Sequence, residues 1–435
     1  MALGGGTFLV QNKELPGAYI NFVSAASANP ALSDRGIATM PLELDWGVDG
    51  EVFEVTNADF QKNSREIFGY DYTHEKLKGL RDLFLNAQTL YAYRLNSGGK
   101  RASNDYAAAA CSGTRGNDLK IVIQVNPDDE NMYDVQTLLD SSVVDEQTVS
   151  QAGELADNSY VVWKNGTKLA ETVGMPLEGG TNGEVNGGSH QAYLDKIESY
   201  TYNTMGTVVT DDVTKSLYVA FCKRLRDEMG IKFQLVLHNS KADYYGVINV
   251  RNKALDEGWS ESSLAYWVTG AEAGCAVNRS VQNTVYNGEF TVDADLTQNQ
   301  LTQAVKNGEF TFHKVGAEIR VLDDINSMVT TDHTQGDVFR DNQTIRVIDQ
   351  IGNDIAVLFN TKYLGIVPND KAGRTSLWSD IVKHHEQLQE IRAIEDFTDE
   401  DVSVEQGSAK KSVVVSDVIT VINAMSKLYM TVTVS

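Results

Sequence analysis

The last eight residues, Leu428-Tyr429-Met430-Thr431-Val432-Thr433-Val434-Ser435, alternate apolar and hydroxyl side chains with a period of two. That period predicts a β-strand. No turn follows it, so its partner must come from elsewhere, because an unpaired row of amides and carbonyls invites edge-to-edge association. A second copy of the chain is one source. Near the other end, Thr7-Phe8-Leu9-Val10 and Ala18-Tyr19-Ile20-Asn21-Phe22-Val23 are short β-type runs split by Leu15-Pro16-Gly17. Both ends read as extended arms.

A chain of 435 residues buries a sizeable core and is expected to divide into roughly two to four domains. With 42% hydrophobic and 22% charged residues, long disorder is not expected. The balance of 37 basic against 60 acidic residues gives a formal charge of −23, which opposes binding to a phosphate backbone. Nucleic acid is therefore not an expected partner, and salt is expected to matter to any assembly. Cys111, Cys222 and Cys275 are widely spaced with no C-x-x-C pair, which argues against a disulfide framework. Neither a basic-then-apolar leader nor a run of 18 apolar residues occurs, so folding in cytosol without membrane insertion is expected.

Along the chain, residues 26–95 mix signals. Leu77, Leu80, Phe84 and Ala87 follow helical spacing within Glu75 to Ala87, and Thr89 to Leu95 alternates as a strand. Asn96-Ser97-Gly98-Gly99-Lys100 is a candidate boundary. From there to about 190 the texture is β-rich, with Leu119–Val125 as one strand and a hairpin expected around Asn165-Gly166, between Tyr160-Val161-Val162-Trp163 and Lys168-Leu169-Ala170. The Gly-rich run 179–189 reads as a flexible linker closing an inserted β domain. Beyond it strands and helices alternate again: helices near 191–200, 213–229 and 261–276, and an apolar strand at 233–237, suggest a layered sheet. Helices are expected near 344–361 and 376–394, with strands at 318–322 and 412–415.

Catalytic patterns are missing. Gly183-Glu184-Val185-Asn186-Gly187-Gly188-Ser189-His190 spaces its outer glycines like a phosphate loop, but Ser189 stands where the lysine is needed and Glu184 adds negative charge. A linker fits better than a nucleotide site. In His384-His385-Glu386, adjacent residues on a helix diverge by about 100° and do not converge on one metal. Leu377, Ile381, Leu388 and Ile391 predict the buried face, leaving Lys383, His384, Glu386 and Arg392 for solvent or a partner. Asp211-Asp212 and Asp323-Asp324 read as cap or loop residues. Catalysis, cofactors and metals are not expected; the alternative carried forward is a soluble α/β hydrolase or nucleotide-binding enzyme.

Several blocks, in order, resemble contractile tail sheath proteins of bacteriophages and phage-tail-like bacteriocins, especially those of Gram-positive hosts. They are Leu15-Pro16-Gly17-Ala18-Tyr19-Ile20, Ala276-Val277-Asn278-Arg279-Ser280, Asn307-Gly308-Glu309-Phe310, Arg320 to Asn326, Ile345 to Ile351, Phe359 to Gly365 and Trp378 to His385. The resemblance covers nearly the whole chain.

The resemblance implies an α+β, α/β multidomain chain. A subtilisin-like α/β domain without a catalytic triad (26–95 and 191–330) carries an inserted outer β-sandwich domain (96–190). An inner C-terminal α+β domain (331–420) follows, with arms at 1–25 and 421–435. It implies a structural subunit, not an enzyme. Its copies stack as hexameric rings into a helical sheath around a tail tube, meet baseplate and tail terminator proteins, and belong to a virion or phage-tail-like particle assembled in the host bacterial cytoplasm. Strand exchange through the arms places inter-subunit contacts at Phe8, Leu9, Val10, Tyr19, Ile20, Val413, Val415, Leu428, Met430, Val432 and Val434. Gly4-Gly5-Gly6 and Glu405 to Ala409 are the expected hinges, and Lys383, His384, Glu386 and Arg392 the tube-facing candidates.

Overall fold

The central sheet draws its strands from both sides of the inserted segment. The computed structural model describes residues 32–434; Phe8, Leu9, Val10, Tyr19, Ile20 and the Gly4–Gly6 hinge lie outside the described residues. By packing, these fall into two units: Asp34–Asp349 with residues 423–434, and Gln350–Ile422 with residues 32–33.

In the larger unit, β1 (Ile37–Leu42), β2 (Val52–Thr56) and β3 (Thr89–Arg94) frame helices α1 (Asn57–Phe68) and α2 (Lys78–Phe84). The inserted segment holds β4 (Ala107–Ala109), β5 (Leu119–Val125), β6 (Tyr133–Leu139), β7 (Ser142–Val149), β8 (Val161–Trp163) and β9 (Thr172–Pro176). The chain then returns through α3 (Gly187–Ile197), β10 (Thr204–Gly206), α4 (Asp212–Lys223), β11 (Gln234–His238), β12 (Val247–Val250), α5 (Leu264–Gly274) and α6 (Gln298–Lys306). A hairpin, β13 (Phe312–Val315) with β14 (Glu318–Val321), precedes α7 (Asn342–Leu358), within which the division between the units falls.

The six-stranded sheet runs β12-β11-β10-β1-β3-β2, parallel except for β2. Because successive side chains point to opposite faces, Leu90 and Ala92 join one core with α2 and α5, while Tyr91 and Tyr93 join the other with α3 and α4. Helices on both faces are what a mostly parallel sheet requires. Burial is near complete on β11, where all five residues are buried.

The insert packs a four-stranded antiparallel sheet, β7-β6-β5-β9, against the β4–β8 pair over one core that includes Ile121, Val135, Val161 and Trp163. It is a β-sandwich, but the hairpin expected at 160–170 does not form. β8 pairs with Ala107–Ala109 instead, and Asn165-Gly166 lies in a simple turn closed from Thr167 N–H to Lys164 O. Small alanines on β4 leave room for Trp163, a pairing that a local turn signal does not reveal.

The Gly-rich run is not a loose linker. Residues 96–103 and 178–183 cross side by side: Lys100 and Thr181 exchange both backbone hydrogen bonds, as do Ser103 and Glu178, and Gly183 N–H reaches Asn96 O at 2.9 Å. Glycine is needed for close approach, since a Cβ on Gly99 would sit 1.8 Å from Thr181 O and one on Gly183 1.9 Å from Ser97 O. Beneath the crossing, fully buried Arg94 donates to Ser112 O and Asn182 Oδ1. The run then enters α3, whose N-cap Asn186 accepts from Gly188 and Ser189 N–H. The amides that a phosphate would claim are already taken.

Two buried ion clusters hold the first half of α7 in the larger unit. Arg346 reaches Glu272 at 2.6 Å and Asp324 at 3.2 Å, all three side chains within 2% of full burial. Arg226, on the π-helical extension of α4, grips Asp349 with two bonds of 2.6 and 2.7 Å. Burial, reinforced by Asp324, pushes Glu272 up to about 8, despite Arg346.

Among the described residues, no helix is long and apolar enough to cross a membrane.

Candidate assembly surface

The smaller unit is built on α8 (Lys371–Glu390), started by Asp370, whose side chain accepts from Gly373 N–H. Against it lie β15 (Ile394–Glu395), β16 (Val402–Gln406), β17 (Val413–Asp417) and β18 (Thr420–Val421). β16 and β17 form an antiparallel hairpin, and β15 pairs with β18. Each is a two-stranded sheet, so every strand keeps one edge without a ladder partner among the described residues.

Val413 is half-buried in β17, and Val415, at 39% exposure, stands open beside Val414. Both belong to a strand paired within the chain rather than to a free arm. Gly407, expected to be a hinge, sits in the hairpin turn, held by Gly407 N–H to Ser412 O and Ala409 N–H to Ser412 Oγ. Asn369 Nδ2 donates to Lys410 O and Ser412 O, fixing the turn to the start of α8.

Of the tube-facing candidates, Lys383, Glu386 and Arg392 are exposed. His384 is not: it is 1% exposed, and its Nε2 lies 2.9 Å from Asp354 Oδ2. His384 is three residues after Ile381 and four before Leu388, so it belongs to the buried stripe 377–381–384–388. Asp354, held below the usual carboxylate range against its burial by hydrogen bonds from His384, Ser33 and Gln350, is the polar partner that makes the position tolerable. His385 is buried as well, bonded to Asp417 and to Ile381 O. Ile391, expected on the apolar face, is 36% exposed.

Leu428, Met430, Val432 and Val434 lie in a segment, 422–434, with no helix, turn or ladder. Within the single chain the alternating pattern therefore has no strand partner among the described residues. The four side chains are 84%, 75%, 70% and 90% exposed, far outside what a single chain leaves uncovered by choice. The segment is rooted on α7: Ala424 N–H donates to Gln343 Oε1 at 2.9 Å, and Asn423 Nδ2 to Thr344 Oγ1 at 3.1 Å.

No group of three or more His, Cys, Asp or Glu side chains among the described residues is placed to hold a metal. His238 Nδ1 faces Ser262 Oγ at 3.4 Å at the end of β11, but the two residues are 1% and 0% exposed, closed to a substrate. Asp211 caps α4 at Thr214 N–H, as the sequence suggests, whereas Asp324, expected to be a simple cap or loop residue, is buried in the Arg346 cluster.

The chain matches four family models in succession: the tail sheath protein Gp18 domain III N-terminal region over 35–95, and the phage tail sheath protein beta-sandwich domain over 97–182. The phage tail sheath protein central domain follows over 183–327, and the phage tail sheath C-terminal domain over 334–435. It is 31% identical to the phage-like element PBSX protein XkdK of Bacillus subtilis, across 100% of both chains. The crystal structure of a sheath tail protein from Desulfitobacterium hafniense superposes with a TM-score of 0.82 at 35% identity, over 95% of this chain and 99% of that one. At 12% identity, the contracted helical sheath of the anti-feeding prophage shares the fold, with a TM-score of 0.58 over 97% of this chain and 99% of that one. The chain belongs to the phage tail sheath protein family.

Proposed function

We propose that copies of this chain stack as hexameric rings into a helical sheath around a tail tube, and that the sheath shortens to drive the tube through a target envelope. Residues 425–434 carry this reading: an exposed apolar segment, rooted on α7, in a chain that also presents open-edged two-stranded sheets. Strand addition supplies main-chain bonds that tolerate changes in the angle between rigid bodies. About ten extended residues reach roughly 33 Å, enough to cross to a neighbour. In this reading the terminal segment of one copy adds to the β16–β17 sheet of another, and Val413 and Val415 line the receiving strand.

The α/β body, residues 26–95 with 191–330, then acts as the family's subtilisin-like frame. The sandwich at 96–190 faces outward, and 331–420 faces the tube through Lys383, Glu386 and Arg392. Baseplate and tail terminator proteins meet the ends of the sheath. The particle, a virion or a phage-tail-like device, is assembled in the host bacterial cytoplasm.

Electron microscopy of the purified full chain at rising concentration tests the reading. Hollow helical tubes or stacked rings support it, and a chain that stays monomeric at high concentration, with and without a co-expressed tail tube protein, contradicts it.

A further inference from the structure

In the smaller unit, charge is sorted along α8. At the N-terminal end stand Lys371 and Arg374, and the hairpin turn tied there by Asn369 adds Lys410 and Lys411. At the other end stands Glu390, followed by Glu395 and Asp396. This order opposes the helix dipole, which favours acids in the first turn and bases in the last; α8 has neither. Asp370 caps the start and Lys383 and Arg392 lie near the end, so the sorting is a surplus rather than a clean separation. A distribution that does not serve its own helix points to something outside it.

Two further observations narrow what that is. Lys371, Lys410, Lys411, Glu390, Glu395 and Asp396 are all exposed, and none has an ion-pair partner in the chain among the described residues. Lysine 410 and lysine 411 also border an open groove of about 580 Å³ whose floor includes Tyr363, Val367 and Leu377 and whose rim carries Leu364 and Ile366, 59% and 67% exposed. In a chain of net charge −23, an apolar groove edged with bases is a specific feature and not the general tone of the surface.

We propose that this groove end docks the acidic end of the same unit in a second copy, head to tail. The inference rests on the chain being a polymer subunit, and adds a second contact to the terminal-segment link. Made head to tail, the contact is heterologous and propagates rather than closing on a pair. Its polarity sets which neighbour is met, since like-charged ends repel.

Charge reversal with compensation tests it in the full chain. Polymer is measured by sedimentation at about 0.15 M salt, where charge pairs a Debye length apart are screened but contacts persist, with circular dichroism as a check on folding. K410E/K411E and E395K/D396K are each expected to lower pelleted polymer about tenfold, and the four changes together to restore most of it. Restoration separates a lost contact from a lost fold. Polymer at the wild-type level in either double variant, or a combined variant as defective as its parents, overturns the proposal. So does a K410E/K411E chain that polymerises normally but no longer retains a co-expressed tube protein, which assigns the groove to the tube. A wild-type chain that never polymerises overturns the sheath reading itself, and this contact with it.

Discussion

His385 ties the middle of α8 to the last residue of β17: its Nε2 lies 2.8 Å from Asp417 Oδ2, while its Nδ1 lies 2.9 Å from Ile381 O. The outer strand of an open-edged hairpin is thus pinned to a helix by one buried ring. Replacing His385 with Leu keeps the bulk and removes both bonds, at a cost of about 1–3 kcal/mol. Hydrogen exchange should quicken at the β17 amides while the β5–β6 amides of the sandwich are unchanged. Uniform protection in both would show that the pin does not hold the hairpin.

A second prediction concerns pH. Glu272 binds its proton more tightly folded than unfolded, because burial and then Asp324 raise it from 4.5 to about 8. The stability it lends is complete below about 4.5 and is lost as pH rises through about 8. Asp82 and Asp341, each raised to about 6 mainly by burial, slope the same way at lower pH. From pH 6 to 8 the wild type should therefore lose stability relative to Glu272→Gln, measured by urea unfolding at fixed ionic strength. Parallel curves would mean that Glu272 is ionised throughout.

Arg346→Ala should be among the most damaging single changes, because it strands the buried carboxyls of Glu272 and Asp324. Removing one member of such a cluster costs about 3–5 kcal/mol. Poor recovery of soluble chain or a large fall in melting temperature is expected. Arg346→Met should do less harm if paired with Asp324→Asn, since the carboxylate that Arg346 balances is then removed together with its partner.

At the base of the sandwich, Gly183→Ala would push a methyl within 1.9 Å of Ser97 O. Either the crossing strands part or the backbone strains, typically about 1–3 kcal/mol. Limited proteolysis should then cut near residues 96–103 and 178–183 while the wild type resists. Equal resistance would show that the crossing absorbs the methyl without opening.

Periodicity carried much of the fold. Leu119–Val125 is a strand to the residue, and α5 and α7 lie close to where apolar spacing places them. What escaped was long-range pairing. The Ala107–Ala109 strand has no local signature, and its partner Val161–Trp163 was drawn toward an adjacent Asn-Gly turn. The glycines at 179–188 look like slack in a sequence, but Gly180 and Gly183 sit against neighbouring backbone and the run ends in a capped helix. As a polar residue His384 reads as exposed, although its spacing from Ile381 and Leu388 puts it inside; spacing is the better guide, and Asp354, 30 residues away, supplies the partner. At the C-terminus the alternation is plain in the sequence, whereas no strand pairs with it among the described residues.

Assembly by the terminal segment is tested most directly by sedimentation and electron microscopy of Met430→Pro and Val432→Pro beside the wild type. Proline removes one ladder donor at each position. The side chains there are 75% and 70% exposed, so the monomer should keep its circular dichroism and melting temperature. The account predicts folded variants that fail to form sheath. Variants that assemble as the wild type does would contradict it.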